Sequence, residues 1–394
     1  MTNIEKLTDA LNTDSMFFKR KALKKLLKLQ KTNSELVPCQ KNIIPIHFSS
    51  SKNYSLYSPT MCAYIAYRSG AYGVGVNDYI TLSYMQEFKK ACKILKLPYT
   101  SGFRVDCKPI LNNDKTILYS YGIPIEKEKA YNEMLQSIRN KKFESSLELI
   151  DKVNFNLNSQ GIKVDKKLLV KESKKRGYLL TEKHIAKNLA EVIVKTFGKG
   201  KGLLDFIGEY MGIISCEGET RFLKESENMY FTEDLAKVIY LNYLKPMVKE
   251  ELMEVKDFIS LNDSLGVISS YGLSVETFNE KELKKIAVKL KEYGFNCVTI
   301  RNKLLKEEEY IKIVKFFESY EMLTISLYGI GLPRQIVPTN EMEIEFKNSL
   351  AIIGNAVSVA CDSKDGLFKE ETVSKCPNFA KRVDLFASIG RREI

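Results

Sequence analysis

Apolar residues recur along this chain in two alternating rhythms. Residues 14–31, "DSMFFKRKALKKLLKLQK", place Phe18, Ala22, Leu26 and Leu29 near one helical face, with lysine and arginine on the other. From Asn42 the pattern shifts. "NIIPIHFSSS" reads as a short strand with a serine-rich exit. A helix follows over Ser58–Ser69, with Pro59 suited to its first turn. "AYGVGV" then predicts a buried strand, Met85 to Leu95 a helix, and "YTSGFRV" and "TILYSYGIPI" two more strands. This order predicts parallel α/β architecture.

Residues 126 to about 256 are charged and helix-patterned, with few strand signals. In "TEKHIAKNLAEVIVKTFGKG" the residues Ile185, Leu189, Val192 and Ile193 share a face, Thr181 is placed to cap the helix and Gly198 to end it. The strand–helix rhythm returns at Ser264. "SLGVISSYGL", "NCVTIR" and "MLTISLYG" predict strands. "EKELKKIAVKLKEYG" and "EEYIKIVKFFESY" predict the helices between them, and a last helix is expected over Glu341–Ile353. The division expected is an N-terminal amphipathic helix packed on the main domain (1–40), a first half-domain (41–128), a helical insertion or cap (129–256) and a second half-domain with a C-terminal helix (257–394).

Charge and rare residues narrow the chemistry. The net charge of +12 attracts phosphates. The excess is mostly lysine spread along the chain, which points to solvated helix faces. A basic amphipathic helix such as 14–31 also suits a membrane surface or an acidic partner, although packing on its own domain is the plainer reading. The 8 cysteines form no C-x-x-C pair and sit mostly in apolar runs. No apolar run reaches transmembrane length, and no signal-peptide pattern opens the chain, so a reduced, cytoplasmic setting is the default. With only 2 histidines, His47 and His184, a cluster of imidazoles is excluded. A nucleophile elbow, a Rossmann glycine pattern and a P-loop are also missing from the sequence.

Strand ends carry the chemistry in parallel α/β barrels. Here that rule selects His47, Asp78 with Tyr79, Arg104, Ile125 and the segment 329–335. The ordered series "PIH…YSPT…GVNDY…GFR…GIPI…YGFNCVTIR…LTISLYGIGLPRQ" resembles the PHP (polymerase and histidinol phosphatase) family from about Asn42 to the C-terminus. The resemblance implies a distorted (β/α)7 barrel with a helical insertion. The family's enzymes hydrolyse phosphoesters with two or three metal ions held by histidine and carboxylates.

Carried over residue by residue, the resemblance finds most ligand positions changed. The opening His-x-His is Pro45-Ile46-His47. The Asp-His pair is Asp78-Tyr79. The glutamate expected two residues after Gly102 is Arg104. The histidine after "GIP" is Ile125, a late acidic or histidine ligand falls near Gly329, and Asn355 stands where related chains carry histidine. Only His47 and Asp78 keep a ligand type. A guanidinium about 4 Å from a divalent ion is repelled by roughly 8 kcal/mol at an effective dielectric of about 20. No cofactor is expected beyond a weakly held single Mg²⁺ or Mn²⁺ on Asp78.

The leading expectation is therefore a PHP-like relative without catalysis. It binds a phosphorylated small molecule, or a protein partner, through Arg104 and Arg334, with Tyr79 and Tyr328 as walls and His47 as a donor. The plainer alternatives are that Arg104 pairs with Asp106 or Asp78, that Arg334 braces a loop, that His47 is a satisfied half-buried residue and that His184 is structural. A second expectation is an active phosphoesterase with a reduced or metal-free site, in which Asp78 is ligand or base and His47 the acid or base. The third, a basic nucleic-acid scaffold, ranks last for want of a recognition motif.

Overall fold

The computed structural model describes residues 2–38, 46–48, 57–111, 115–213, 220–225, 227–248, 252–275, 277–301, 305–327 and 343–392. The apolar runs become strands β1 (Ile46–Phe48), β2 (Val74–Tyr79), β3 (Tyr99–Cys107), β4 (Thr116–Tyr121), β5 (Ile268–Leu273), β6 (Cys297–Ile300) and β7 (Leu323–Ser326). They form one sheet in sequence order, from β1 to β7. It is a curled, mixed half-barrel, and the described ladders do not close it.

Helices α1 (Asn3–Ala10) and α2 (Met16–Leu29) precede the sheet. α3 (Pro59–Arg68) joins β1 to β2, and α4 (Met85–Leu95) joins β2 to β3. After β4 come α5 (Glu128–Leu157), α6 (Lys166–Arg176), α7 (Glu182–Phe197), α8 (Lys201–Met211) and α9 (Phe231–Ile239). α10 (Val255–Ser264) leads into β5, while α11 (Glu280–Tyr293) and α12 (Glu307–Glu318) separate the last three strands. α13 (Glu343–Cys361), α14 (Glu370–Lys375) and α15 (Phe379–Arg392) follow. No helix among the described residues is long and apolar enough to cross a membrane.

The expected parallel sheet is corrected at one strand. β4 runs antiparallel to both β3 and β5, while the other ladders are parallel. The cause is the length of the link over 108–115, which is too short for the dozen or more residues a parallel crossover requires. β4 therefore returns as a hairpin.

The chain divides into two compact units, one of residues 1–135 with 252–394 and the other of residues 136–251. The sheet belongs to the first. Partners in register share a face of the sheet, and successive residues alternate. One face carries Tyr119, Tyr121, Ile268, Cys297, Leu323 and Ile325 against α13 and α15. Those two helices approach so closely that a Cβ on Gly354 would collide with the Phe386 carbonyl oxygen, and one on Gly390 with that of Leu350. The opposite face buries Phe103 between Tyr131 and Phe258, with ring centroids 5.5 and 5.9 Å away. Coverage on both faces explains why every residue of β2 is buried.

The second unit is helical, with a core that includes Ile150, Val153, Ile185, Leu189, Leu203 and Leu235. Thr181 and Gly198 bound α7 as the sequence predicts. Nδ1 of His184 accepts the Thr181 N–H at 3.2 Å, and its ring stacks on Tyr178 at 4.2 Å. Burial drives the imidazole pKa down to about 3, helped by Lys187 and Lys183. His184 is a neutral capping residue.

Candidate anion site at the strand ends

β2 ends at Tyr79, directly opposite Arg104 on β3. Tyr79, Arg104 and Asp106 thus share one sheet face by alternation. The Arg104 guanidinium lies 5.5 Å from the Tyr79 ring centroid, a cation–π contact. Its Nη2 is 3.2 Å from Asp106 Oδ1, and Lys115 Nζ reaches Asp106 Oδ2 at 2.8 Å. One carboxylate thus sits between two cations at the start of the β3–β4 hairpin. Burial would raise the Asp106 pKa, but Arg104 and Lys115 outweigh it and hold the carboxyl below its usual range.

The backbone here is strained. Ile80, the residue after β2, takes a left-handed φ of 51°, a rare state for a β-branched side chain. Its N–H donates to the Arg104 carbonyl at 2.8 Å, which ties the turn to β3. Strain of this kind costs on the order of 1–3 kcal/mol and gathers at functional sites.

A third cation was missed by sequence reasoning. Arg301 follows β6 and is exposed. A Cβ placed on Gly272 would lie 3.0 Å from Tyr119 Cε2 and 3.1 Å from Arg301 Cδ, so the arginine stem crosses β5 where glycine leaves room. Tyr119 is the register partner of Arg104. Arg301 therefore stands at the same carboxyl edge as Arg104. The signal available in the sequence was its place at the end of "NCVTIR".

Asp78 is fully buried and falls on the opposite sheet face from Tyr79 and Arg104. Its Oδ1 accepts the Tyr79 N–H at 2.9 Å. It stands near the buried Cys62 of α3, whose thiol pKa is pushed up by burial and then by Asp78. His47 is in β1 opposite Gly75, four residues short of Tyr79 and so about 13 Å away along the strand direction; its side chain is outside the described set. Tyr328, Gly329 and Arg334 lie outside the described residues.

Ile125 and Asn355 belong to the other end of the sheet. β4 runs backwards, and Tyr121 pairs with Ile268 at the start of β5, so Ile125 follows the amino edge. Asn355 donates to the Gly266 carbonyl at 3.0 Å and accepts the Leu367 N–H at 2.7 Å, just ahead of β5. It fastens a loop there.

The strand-end cluster does not fit a divalent metal. Among the described residues no group of three or more His, Cys, Asp or Glu side chains converges anywhere. At the mouth, Asp106 is flanked by two cations that would repel such an ion. What the arrangement can do is hold an anion. A guanidinium offers a planar fork to phosphate or carboxylate oxygens, and an ammonium adds a point charge.

The second unit contains a separate cavity of about 320 Å³, lined by Lys141, Lys142, Lys152, Glu144, Glu148 and Glu182 among others. Its wall includes a buried ion pair, Lys142 Nζ to Glu182 Oε1 at 3.0 Å. Its charged lining is mixed, three lysines and three glutamates.

No family model matches the chain, and no curated protein does either. Solved structures do show likeness. A protein from Bifidobacterium adolescentis, assigned as a metal-dependent phosphoesterase, aligns at a TM-score of 0.52 with 12% identity, over 80% of this chain and 97% of its own. An amidohydrolase from Chromobacterium violaceum, solved with bound sulfate and no metal, aligns at a TM-score of 0.49 with 13% identity, over 75% and 92%. The fold is thus similar to that of the Bifidobacterium adolescentis protein, at low sequence identity.

Proposed function

We propose that this chain is a non-catalytic relative of the PHP phosphoesterases, in which the strand-end site binds a phosphorylated small molecule without metal. The frame is read as that family's distorted (β/α)7 barrel with a helical insertion. The single observation carrying the proposal is the Arg104–Asp106–Lys115 cluster at the carboxyl edge of the sheet. There, a phosphoesterase of this kind needs anionic and imidazole ligands. Arg104 provides the oriented fork and Tyr79 backs it. Lys115 and Arg301 raise the local potential, and Asp106 holds the two nearer cations in place. Arg334 remains a proposed second arginine of the same site.

The test is metal content and turnover. Protein produced in medium supplemented with Mn, Fe and Zn is expected to carry none of them stoichiometrically, and to leave phosphomonoesters and phosphodiesters intact. Stoichiometric metal together with turnover abolished by Asp78→Ala would replace this reading with that of an active phosphoesterase.

A further inference from the structure

α2 has an inner face that is fully committed. Ala22, Leu23 and Leu26 are buried, and Lys19 reaches inward to Glu87 Oε1 at 2.8 Å. The same glutamate oxygen accepts from the Thr60 hydroxyl at 2.9 Å and its N–H at 3.1 Å, which ties α2 to α3 and α4. This anchor corrects the expectation that Phe18 faces inward: Lys19 takes that role, while Ala22 and Leu26 stay on the buried side.

Helical geometry then decides what points outward. Phe17, Lys21, Lys24 and Lys28 follow one another at three- and four-residue steps, with Phe18 and Lys25 on the flank. All six are exposed. Phe17 keeps 69% and Phe18 58% of its surface in water, and the two rings meet edge to face at 5.7 Å. The helix sequence MFFKRKALKKLLKL contains no acidic residue.

Two bulky rings held in water beside a run of cations call for a partner that is both apolar and anionic. We propose that this face of α2 docks on an anionic membrane surface, with the Phe17–Phe18 pair entering the boundary between headgroups and acyl chains and the lysines lying over anionic lipid. Lysine suits this task, since a diffuse surface potential asks for point charge rather than the planar fork of arginine. A nucleic-acid backbone would satisfy the lysines but gives adjacent, edge-to-face phenylalanines no apolar layer to enter. The Lys19–Glu87 anchor keeps the face rigid, so little ordering is needed on contact.

The experiment is sedimentation of the full chain with phosphatidylglycerol-rich vesicles and with phosphatidylcholine vesicles. Pelleting is expected with the first and not the second, and salt is expected to weaken it. Lys21→Gln/Lys24→Gln/Lys25→Gln should lower the partition coefficient on the order of 100-fold. Phe17→Ser/Phe18→Ser should lower it by at least tenfold at unchanged lysine charge. All five positions are exposed, and an unchanged circular dichroism spectrum checks that both variants fold. Failure of the wild type to pellet with anionic vesicles overturns the proposal. So does vesicle binding that the phenylalanine variant retains in full, which would mark simple charge attraction. Capture by RNA that depends on these same residues, in the absence of vesicle binding, overturns it as well.

Discussion

Replacing Asp106 by asparagine should move stability and ligand affinity in opposite directions. The carboxylate neutralises Arg104 at 3.2 Å and Lys115 at 2.8 Å, and its own side chain is only 8% exposed. Asparagine keeps the volume but removes the negative charge that both cations contact. Removing one partner of a fully buried pair costs about 3–5 kcal/mol. Arg104 and Lys115 retain 21% and 24% of their side-chain exposure, so about 2–3 kcal/mol is expected here. In the wild type the contribution of Asp106 is present above its unfolded pKa of about 3.9 and fades as pH falls through the lower folded value. The variant should lack that acid limb.

Affinity is expected to rise because the carboxylate repels any incoming anion. Two unit charges about 6 Å apart at an effective dielectric of about 20 oppose each other by about 3 kcal/mol. Screening at a partly exposed site reduces this, and binding tighter by about tenfold, or about 1.4 kcal/mol, is the expected gain. Urea unfolding supplies the stability, and calorimetric titration with inorganic phosphate supplies the affinity. A destabilised variant that binds phosphate no better than the wild type would show that Arg104 and Lys115 do not face the ligand.

Two further predictions concern the frame. The unfolded imidazole of His184 takes up a proton below about pH 6.5 while the folded one resists down to about 3, so stability should be complete above pH 6.5 and fall by about 1.4 kcal/mol per pH unit below it. Urea midpoints across that range should show this slope, and His184→Ala should flatten it while costing about 1 kcal/mol for the lost cap. Gly354→Ala should cost about 3 kcal/mol or more, because its Cβ meets backbone of α15 that cannot turn aside; a thermal melt within 2 °C or so of the wild type would contradict the close crossing.

The strand–helix rhythm was legible because buried strands and amphipathic helices differ in period, and β2 through β7 lie where the apolar runs place them. The direction of β4 was equally legible in the short link before it, which leaves no room for a parallel crossover. The site was harder to read. Asp78 and Tyr79 are neighbours on one strand, so alternation alone forbids both from facing Arg104. Proximity in sequence concealed that. Lys115 joins the site only through a hairpin that sequence pairing does not reveal, and Arg301 only because Gly272 leaves room across β5. Periodicity places Phe18 inward, yet the buried Glu87 selects Lys19 instead. A charge partner on another helix overrides apolar periodicity at that position.

On the proposed reading, cations at the strand ends hold phosphate without a metal ion. Equilibrium dialysis of inorganic phosphate against chelator-treated protein, with Arg104→Gln beside the wild type, tests it most directly. Binding that survives the chelator and falls at least tenfold in the variant is the predicted result. Binding that vanishes with the chelator, or is indifferent to Arg104, would contradict it.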